Sequence, residues 1–334
     1  MGDIRKWVFV GLCITLSSCQ RGTRYADLSQ YPQALTEASS ASGLSVIAHR
    51  GGGAYAPEST LQALSNAAGM HVDAVEFDVW LHQSGGFFVL HDETLDRTTN
   101  CLGDAKAYPL QELMKCDAGF SWVPAISDTA GGNIGVLRGR GFNVPLLSDV
   151  MYSLNNMDSP PPLVIEIKFS KSGYSQALEN QTISAMVDSL SAAQYRSRIL
   201  IESFDIRVLS KTKELAPAIS TMFLWGADSP SLQGCLDMVA ANAAKRTDAI
   251  AFGITSLGTS DLISCVSAAH RSNLEVYGWG VNSGYSLRQS IVAGLDGVMT
   301  DYPACILALL GRPVPDNPYV AELKDGEKYP KCKP

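Results

Sequence analysis

The stretch Ala74-Val75-Glu76-Phe77-Asp78-Val79 sets two carboxylates into an apolar run, where they alternate with Val75, Phe77 and Val79. That alternation has the period of a β-strand, so Glu76 and Asp78 point to one side and the apolar residues to the other. A carboxylate in apolar surroundings is costly unless it is paired or holds a cation. The polar side of this strand therefore faces a site and not a plain core. The pattern spreads in both directions. Upstream, Ser45-Val46-Ile47-Ala48 runs into His49-Arg50-Gly51; downstream, Leu163-Val164-Ile165-Glu166-Ile167-Lys168 again carries ionisable groups two residues apart. His91-Asp92 follows a further apolar run, Phe87 to Leu90, beyond the turn at Ser84-Gly85-Gly86. Several strand ends thus converge on one polar centre.

Around these segments strand and helix alternate. Strands are predicted over Ser45 to Ala48, Ala74 to Val79, Leu163 to Ile167, Ile199 to Glu202, Thr221 to Trp225, Ala249 to Gly253, Glu275 to Trp279 and Gly297 to Thr300. Helices are predicted over Thr60 to Ala68, Gln176 to Ala192, Ile206 to Leu215, Leu232 to Ala244, Asp261 to Ser272 and Ser286 to Ala293. Such alternation implies a parallel sheet with helical crossovers, and eight units in this length fit a closed (β/α)8 TIM barrel. The competing architecture is an open doubly wound sheet, but Gly51-Gly52-Gly53 lacks the spacing of a dinucleotide turn. Two segments break the rhythm. Phe87 to Leu90 forms a hairpin excursion after the second strand and carries His91. A Gly-rich insertion at about 101–143 then reads as a lid or side wall of the pocket, because loops after barrel strands build the active face.

The 334 residues are 46% hydrophobic and 18% charged, a globular composition, and the net charge of −7 argues against nucleic acid as a partner. Arg5 and Lys6 precede an apolar run from Trp7 to Leu16 that is too short to span a bilayer. Leu16-Ser17-Ser18-Cys19 resembles the lipobox of bacterial lipoproteins, in which the cysteine is acylated. The expected organisation is a signal peptide at 1–19, a flexible tether at 20–44, the barrel at 45–310 and a tail at 311–334. That predicts an exported protein, in the periplasm or on the cell surface, held to a bacterial membrane by lipid on Cys19. In that setting disulfides are permitted, with Cys101–Cys116 and Cys235–Cys265 the expected pairs.

Glu76, Asp78 and Glu166 offer an oxygen-rich site for one hard divalent cation, Mg²⁺ or Ca²⁺, and the exported setting slightly favours Ca²⁺. The alternative is a structural network in which each carboxylate pairs with Arg or Lys. His49 and His91 each end an apolar run at a polar turn and suit proton transfer near neutral pH. Arg50 suits a planar fork on phosphate oxygens, and Lys168 a point charge beside it. His71, His82 and His270 have no comparable context and are assigned to structure.

The ordered set His49-Arg50-Gly51, Ala56-Pro57-Glu58, Glu76-Phe77-Asp78-Val79, His91-Asp92 and Leu95-Asp96-Arg97-Thr98-Thr99 resembles the glycerophosphodiester phosphodiesterases. The likeness continues through Val144-Pro145-Leu146-Leu147, Ile165-Glu166-Ile167-Lys168, Ser203-Phe204-Asp205, Trp279-Gly280-Val281-Asn282 and Thr300-Asp301-Tyr302-Pro303. It implies a β/α barrel that hydrolyses glycerophosphodiesters to an alcohol and sn-glycerol 3-phosphate. It implies Glu76, Asp78 and Glu166 on the metal, His49 and His91 as the acid/base pair, and Arg50 and Lys168 on the phosphate. Glu58 would join the metal and polar shell, and Phe204 and Trp279 the apolar wall of the glycerol or leaving-group pocket. Ser59 stands where the family usually has Asn, and Gly280 where it often has Thr. Two other functions fit the same chain: a barrel phospholipase on intact phospholipids, such as a sphingomyelinase D-like enzyme, and a non-catalytic ligand-binding lipoprotein.

Overall fold

The computed structural model describes residues 43–122, 141–169, 176–191, 198–226 and 230–314. The expected signal peptide, nearly all of the tether, residues 123–140 of the insertion and most of the tail lie outside them. Nine strands form one sheet: β1 (Ser45–Ala48), β2 (Ala74–Leu81), β3 (Phe87–Val89), β4 (Leu163–Ile167), β5 (Ile199–Ser203), β6 (Ser220–Trp225), β7 (Ala249–Gly253), β8 (Glu275–Trp279) and β9 (Gly297–Thr300). Eight of them run parallel in the order β1-β2-β4-β5-β6-β7-β8-β9, and β9 pairs back onto β1, register Ser45 to Gly297. That pairing closes the barrel and excludes the open sheet. β3 lies outside the ring, antiparallel on β2, with Val79 opposite Val89. Gly85 and Gly86, at φ 85° and 81°, supply the left-handed turn that this hairpin needs.

The alternation of β2 is realised as expected. Val75, Phe77 and Val79 pack outward with the helices, whereas Ile47, Ala74, Val164, Met222, Ala251 and Met299 belong to a separate cluster inside the ring. The covering helices are α1 (Leu61–Gly69), α2 (Leu110–Leu113), α3 (Leu147–Asn155), α4 (Gln176–Ser191), α5 (Ile206–Leu215), α6 (Leu232–Lys245), α7 (Thr259–Arg271), α8 (Gly284–Ala293) and α9 (Pro303–Leu309). Three of these, α2, α3 and α9, go beyond the sequence expectation. Helix α3 matters most, because it is the crossover into β4. It buries Leu147, Val150, Met151 and Leu154, and Asp149 accepts the Leu146 N–H at its start.

The first part of the insertion packs on the β2–β3 hairpin with a core of its own. Trp80, Phe88 and Leu90 meet Leu95, Leu113, Cys116 and Val144 there, and the Cys101–Cys116 disulfide spans the segment. The other expected disulfide, Cys235–Cys265, joins α6 to α7. At the opposite end of the barrel, Asp73, Asp248 and Asp296 each sit one residue before a strand. Each accepts a backbone N–H from the adjacent strand at 2.7 Å, from Val46, Thr221 and Val276 respectively. Each carboxylate also meets a nitrogen from elsewhere: Arg312, Lys213 or His270.

Candidate active site

β1 ends at Ala48, and the chain turns at once. Gly51 lies so close to α1 that a β-carbon on it would stand 2.7 Å from the Ala63 carbonyl carbon. This tight turn leaves Arg50 in the left-handed region at φ 51°. Two hydrogen bonds hold it there: the Arg50 N–H donates to Glu76 Oε2 at 2.7 Å, and its carbonyl accepts from the Ser59 N–H at 2.9 Å. Arg50 Nη1 donates to Glu58 Oε1 at 3.0 Å, and its Nε lies 3.8 Å from Asp78 Oδ2. The same turn fixes His49. Its Nδ1 lies 2.7 Å from Asp301 Oδ1, and its Nε2 is 4.0 Å from Glu76 Oε2. With Nδ1 donating to that carboxylate, Nε2 is left to face the centre. Asp301 follows β9, and its second oxygen accepts from Asn282 Nδ2 at 2.7 Å.

His91 arrives by the hairpin. Past β3 the Leu90 N–H donates to the Asp78 carbonyl at 3.1 Å, which sets the next residue beside the β2 carboxylates. His91 Nδ1 is 2.6 Å from Asp92 Oδ1. Both histidines are therefore backed by a carboxylate at Nδ1.

Between them lies the acidic centre. Parallel register sets Asp78 against Glu166 and Glu166 against Glu202, on β2, β4 and β5. Lys168 Nζ bridges Asp78 Oδ1 at 3.0 Å and Glu166 Oε2 at 2.7 Å. Burial and the Asp78 and Glu202 carboxylates hold Glu76 well above the usual carboxylate range. Burial, then Glu166 and Asp78, does the same to Glu202. Burial pushes Glu166 up to about 8 despite Lys168. Burial would raise Asp78 too, but Lys168, His91 and Arg50 outweigh it and hold it low. His91 is lowered by burial and by Lys168 and Arg50, against the pull of Asp78. Glu76 and Glu202 are 1% and 2% exposed, and neither Asp78 Oδ2 nor Glu202 Oε2 has a hydrogen-bond donor. Among the described residues no three metal-ligating side chains already converge at ligand distances, since Lys168 takes up Asp78 and Glu166. The donor chemistry nonetheless fits a hard cation: carboxylates in excess, two buried oxygens without a hydrogen-bond donor, and groups whose burial and mutual repulsion a positive charge would relieve.

Phe204, just past β5, and Trp279, at the end of β8, meet edge to face at 6.4 Å. On the other side a cavity of about 250 Å³ opens beside Glu58, lined by Gly53, Arg97, Thr98, Ala118, Ser121 and Trp122. Trp122 Nε1 donates to the Gly53 carbonyl at 2.9 Å, so this part of the insertion is a side wall next to the site.

A model of the glycerophosphoryl diester phosphodiesterase family matches residues 49–305. The chain belongs to that family. A glycerophosphodiester phosphodiesterase of Caldanaerobacter subterraneus subsp. tengcongensis is 28% identical over 268 residues, 80% of this chain and 98% of that protein. One from Bacillus altitudinis is 27% identical over 77% of this chain and 94% of its own. Among solved structures, an Oleispira antarctica phosphodiesterase in complex with the product sn-glycerol-3-phosphate is 26% identical, with a TM-score of 0.64, over 80% of this chain and 96% of that one. The protein is accordingly a phosphoric diester hydrolase acting on glycerophosphodiesters.

In this phosphodiesterase, contacts or register join His49, Arg50, Glu58, Glu76, Asp78, His91, Glu166 and Lys168 in one continuous group, with Phe204 and Trp279 at neighbouring strand ends. Sequence reasoning missed Glu202, Asp92, Asp301, Asn282 and Arg97 as members. Glu202 carried the same signal as Glu76, a carboxylate in an apolar strand. Asp301 stood in the Thr300-Asp301-Tyr302-Pro303 run that carries the family resemblance, but no role was attached to it, because its partner His49 is 252 residues away.

Proposed function

We propose that the enzyme hydrolyses glycerophosphodiesters to an alcohol and sn-glycerol 3-phosphate in a metal-dependent reaction, with His49 and His91 moving the protons. The observation that carries this is the paired support of the histidines: each Nδ1 sits against a carboxylate, 2.7 Å for His49 and 2.6 Å for His91, and both imidazoles act on Asp78 in the acidic centre. One imidazole takes the proton of the nucleophile, either the neighbouring glycerol hydroxyl or a water, and the other protonates the leaving alkoxide. Arg50 and Lys168 hold the phosphoryl oxygens, and Phe204 and Trp279 supply apolar wall to the glycerol or leaving group. Glu76, Asp78 and Glu166 would hold the divalent cation, with Glu202 beside them. When bound, that cation supplies positive charge to the phosphoryl oxygens as a Lewis acid. Ca²⁺ is favoured over Mg²⁺ by the number of carboxylates at hand.

We further infer that the enzyme works outside the cytoplasm, tethered through lipid on Cys19. The Cys101–Cys116 and Cys235–Cys265 disulfides support an oxidising compartment. One observation favours a second substrate class: Leu102 and Phe120, on the insertion, are exposed apolar residues of the kind that meets a lipid surface. Turnover of intact phospholipid in liposomes would support it, and activity confined to soluble glycerophosphocholine excludes it. The acid/base assignment is tested by His49→Ala and His91→Ala. Each should lose roughly 10²–10⁴-fold in kcat with an unchanged melting temperature. Near-normal activity in both variants contradicts the assignment.

A further inference from the structure

We propose that Arg97 is a positioning residue of this phosphodiesterase, one guanidinium that sets the His91 imidazole and the Arg50 fork relative to each other. The inference rests on the roles given above to His91 and Arg50. All three nitrogens of the guanidinium are engaged. Nη1 donates to Glu58 Oε2 at 2.8 Å and Nη2 to Glu58 Oε1 at 2.7 Å, a two-bond fork. Nε donates to Asp92 Oδ2 at 2.5 Å. Each carboxylate then passes the contact inward. Glu58 Oε1 also accepts from Arg50, and Asp92 Oδ1 is the partner of His91 Nδ1. The result is an unbroken chain, His91–Asp92–Arg97–Glu58–Arg50, whose two ends both act on Asp78 in the acidic centre.

A role in stability alone does not account for this arrangement. The Arg97 side chain is 46% exposed, and exposed ion pairs contribute little to folding. The backbone that presents it is held without it. Leu95 is buried, its N–H donates to the Gly103 carbonyl, and Thr99 closes a turn back onto Leu95. Charge explains what Arg97 adds. Without it, Glu58 has only Arg50 to pair with and competes with phosphate for that fork, while Asp92 keeps one partner, His91, and is free to rotate. Planar bidentate geometry is the property that a lysine cannot reproduce.

The test uses the full-length enzyme loaded with divalent cation, with glycerophosphocholine as substrate and kcat and KM read separately. Arg97→Ala should lose about 10²-fold in kcat through misplacement of His91 and Arg50, with KM and melting temperature little changed. Arg97→Lys, which keeps the charge, should recover only a small part. Free guanidinium ion at low concentration should restore turnover to Arg97→Ala. The control is Lys106→Ala, which breaks the neighbouring Lys106–Glu93 pair and should leave kcat unchanged. Wild-type kcat in Arg97→Ala, or a loss confined to KM, overturns the proposal, the latter by making Arg97 a plain substrate contact. If Arg97→Ala does not fold, Arg97→Lys decides: full kcat in that variant overturns it equally. Loss of activity in His91→Ala with full activity in Arg97→Ala removes Arg97 alone, whereas an active His91→Ala removes the underlying acid/base assignment.

Discussion

Arg50 and Ser59 both hold left-handed backbone, at φ 51° and 60°, and the Ser59 N–H to Arg50 carbonyl bond ties the two together. A non-glycine residue in that region costs on the order of 1–2 kcal/mol. At Arg50 the strain serves the site, because it aims the N–H at Glu76. Ser59 has no such return: its hydroxyl is buried without a partner. The family's usual Asn tolerates this conformation better than Ser, which gives the departure noted in the sequence a physical meaning. Ser59→Gly should therefore stabilise the fold by about 1 kcal/mol, read as a raised urea midpoint with kcat retained. At this scale Glu76, Asp78 and Glu166 stood out in the sequence, because carboxylates in apolar strands are conspicuous, although Glu202 carried the same signal and was passed over. Their helpers did not stand out. Asp301, Asp92 and Arg97 stand in runs that carry the family resemblance, but in polar loops, where Asp and Arg are ordinary and no role attached to them.

The elements were more legible than their connections. Strands β1, β4, β7, β8 and β9 have the bounds their apolar runs predicted. Helix α3 went unassigned although Leu147, Val150, Met151 and Leu154 carry a helical period, because its 9 residues follow a long irregular insertion and end near a run of prolines. Its packing makes it essential to the crossover, and Leu154→Ala should cost roughly 2–5 kcal/mol in denaturant unfolding. The three aspartates at the barrel floor had a sequence signal too, an Asp before a small residue that opens a strand: Asp73-Ala74, Asp248-Ala249 and Asp296-Gly297. Each extends the hydrogen-bond ladder by one side chain. Asp296→Ala leaves the Val276 N–H unpaired and should cost about 1–3 kcal/mol. Asp248→Ala should match it through Thr221.

For the molecule as a whole, barrel closure concentrates negative charge at one end, and that concentration makes stability depend on pH. Glu166 is pushed up to about 8 in the fold, and Glu76 and Glu202 are raised as well. A free Glu titrates at about 4.3, so between these values the folded state binds more protons than the unfolded one. Their contribution is complete below the unfolded value and is lost as pH rises through the folded value. Metal-free enzyme should thus melt at a lower temperature at pH 8.5 than at pH 6.5. The slope is up to about 1.4 kcal/mol per pH unit for each group that titrates. Saturating Ca²⁺ should flatten the difference by replacing protons as the neutralising charge. The fold class was legible because eight strand and helix units recur along the chain; the charge balance was not, because register across β2, β4 and β5 brings Glu202 to the others. The most direct test of the whole account follows the phosphorus resonance of glycerophosphocholine with purified enzyme, first in chelator and then with Ca²⁺ or Mg²⁺ restored. The account predicts no turnover in chelator and sn-glycerol 3-phosphate as the phosphorus product once the cation returns; full turnover in chelator, or phosphocholine as the product, contradicts it.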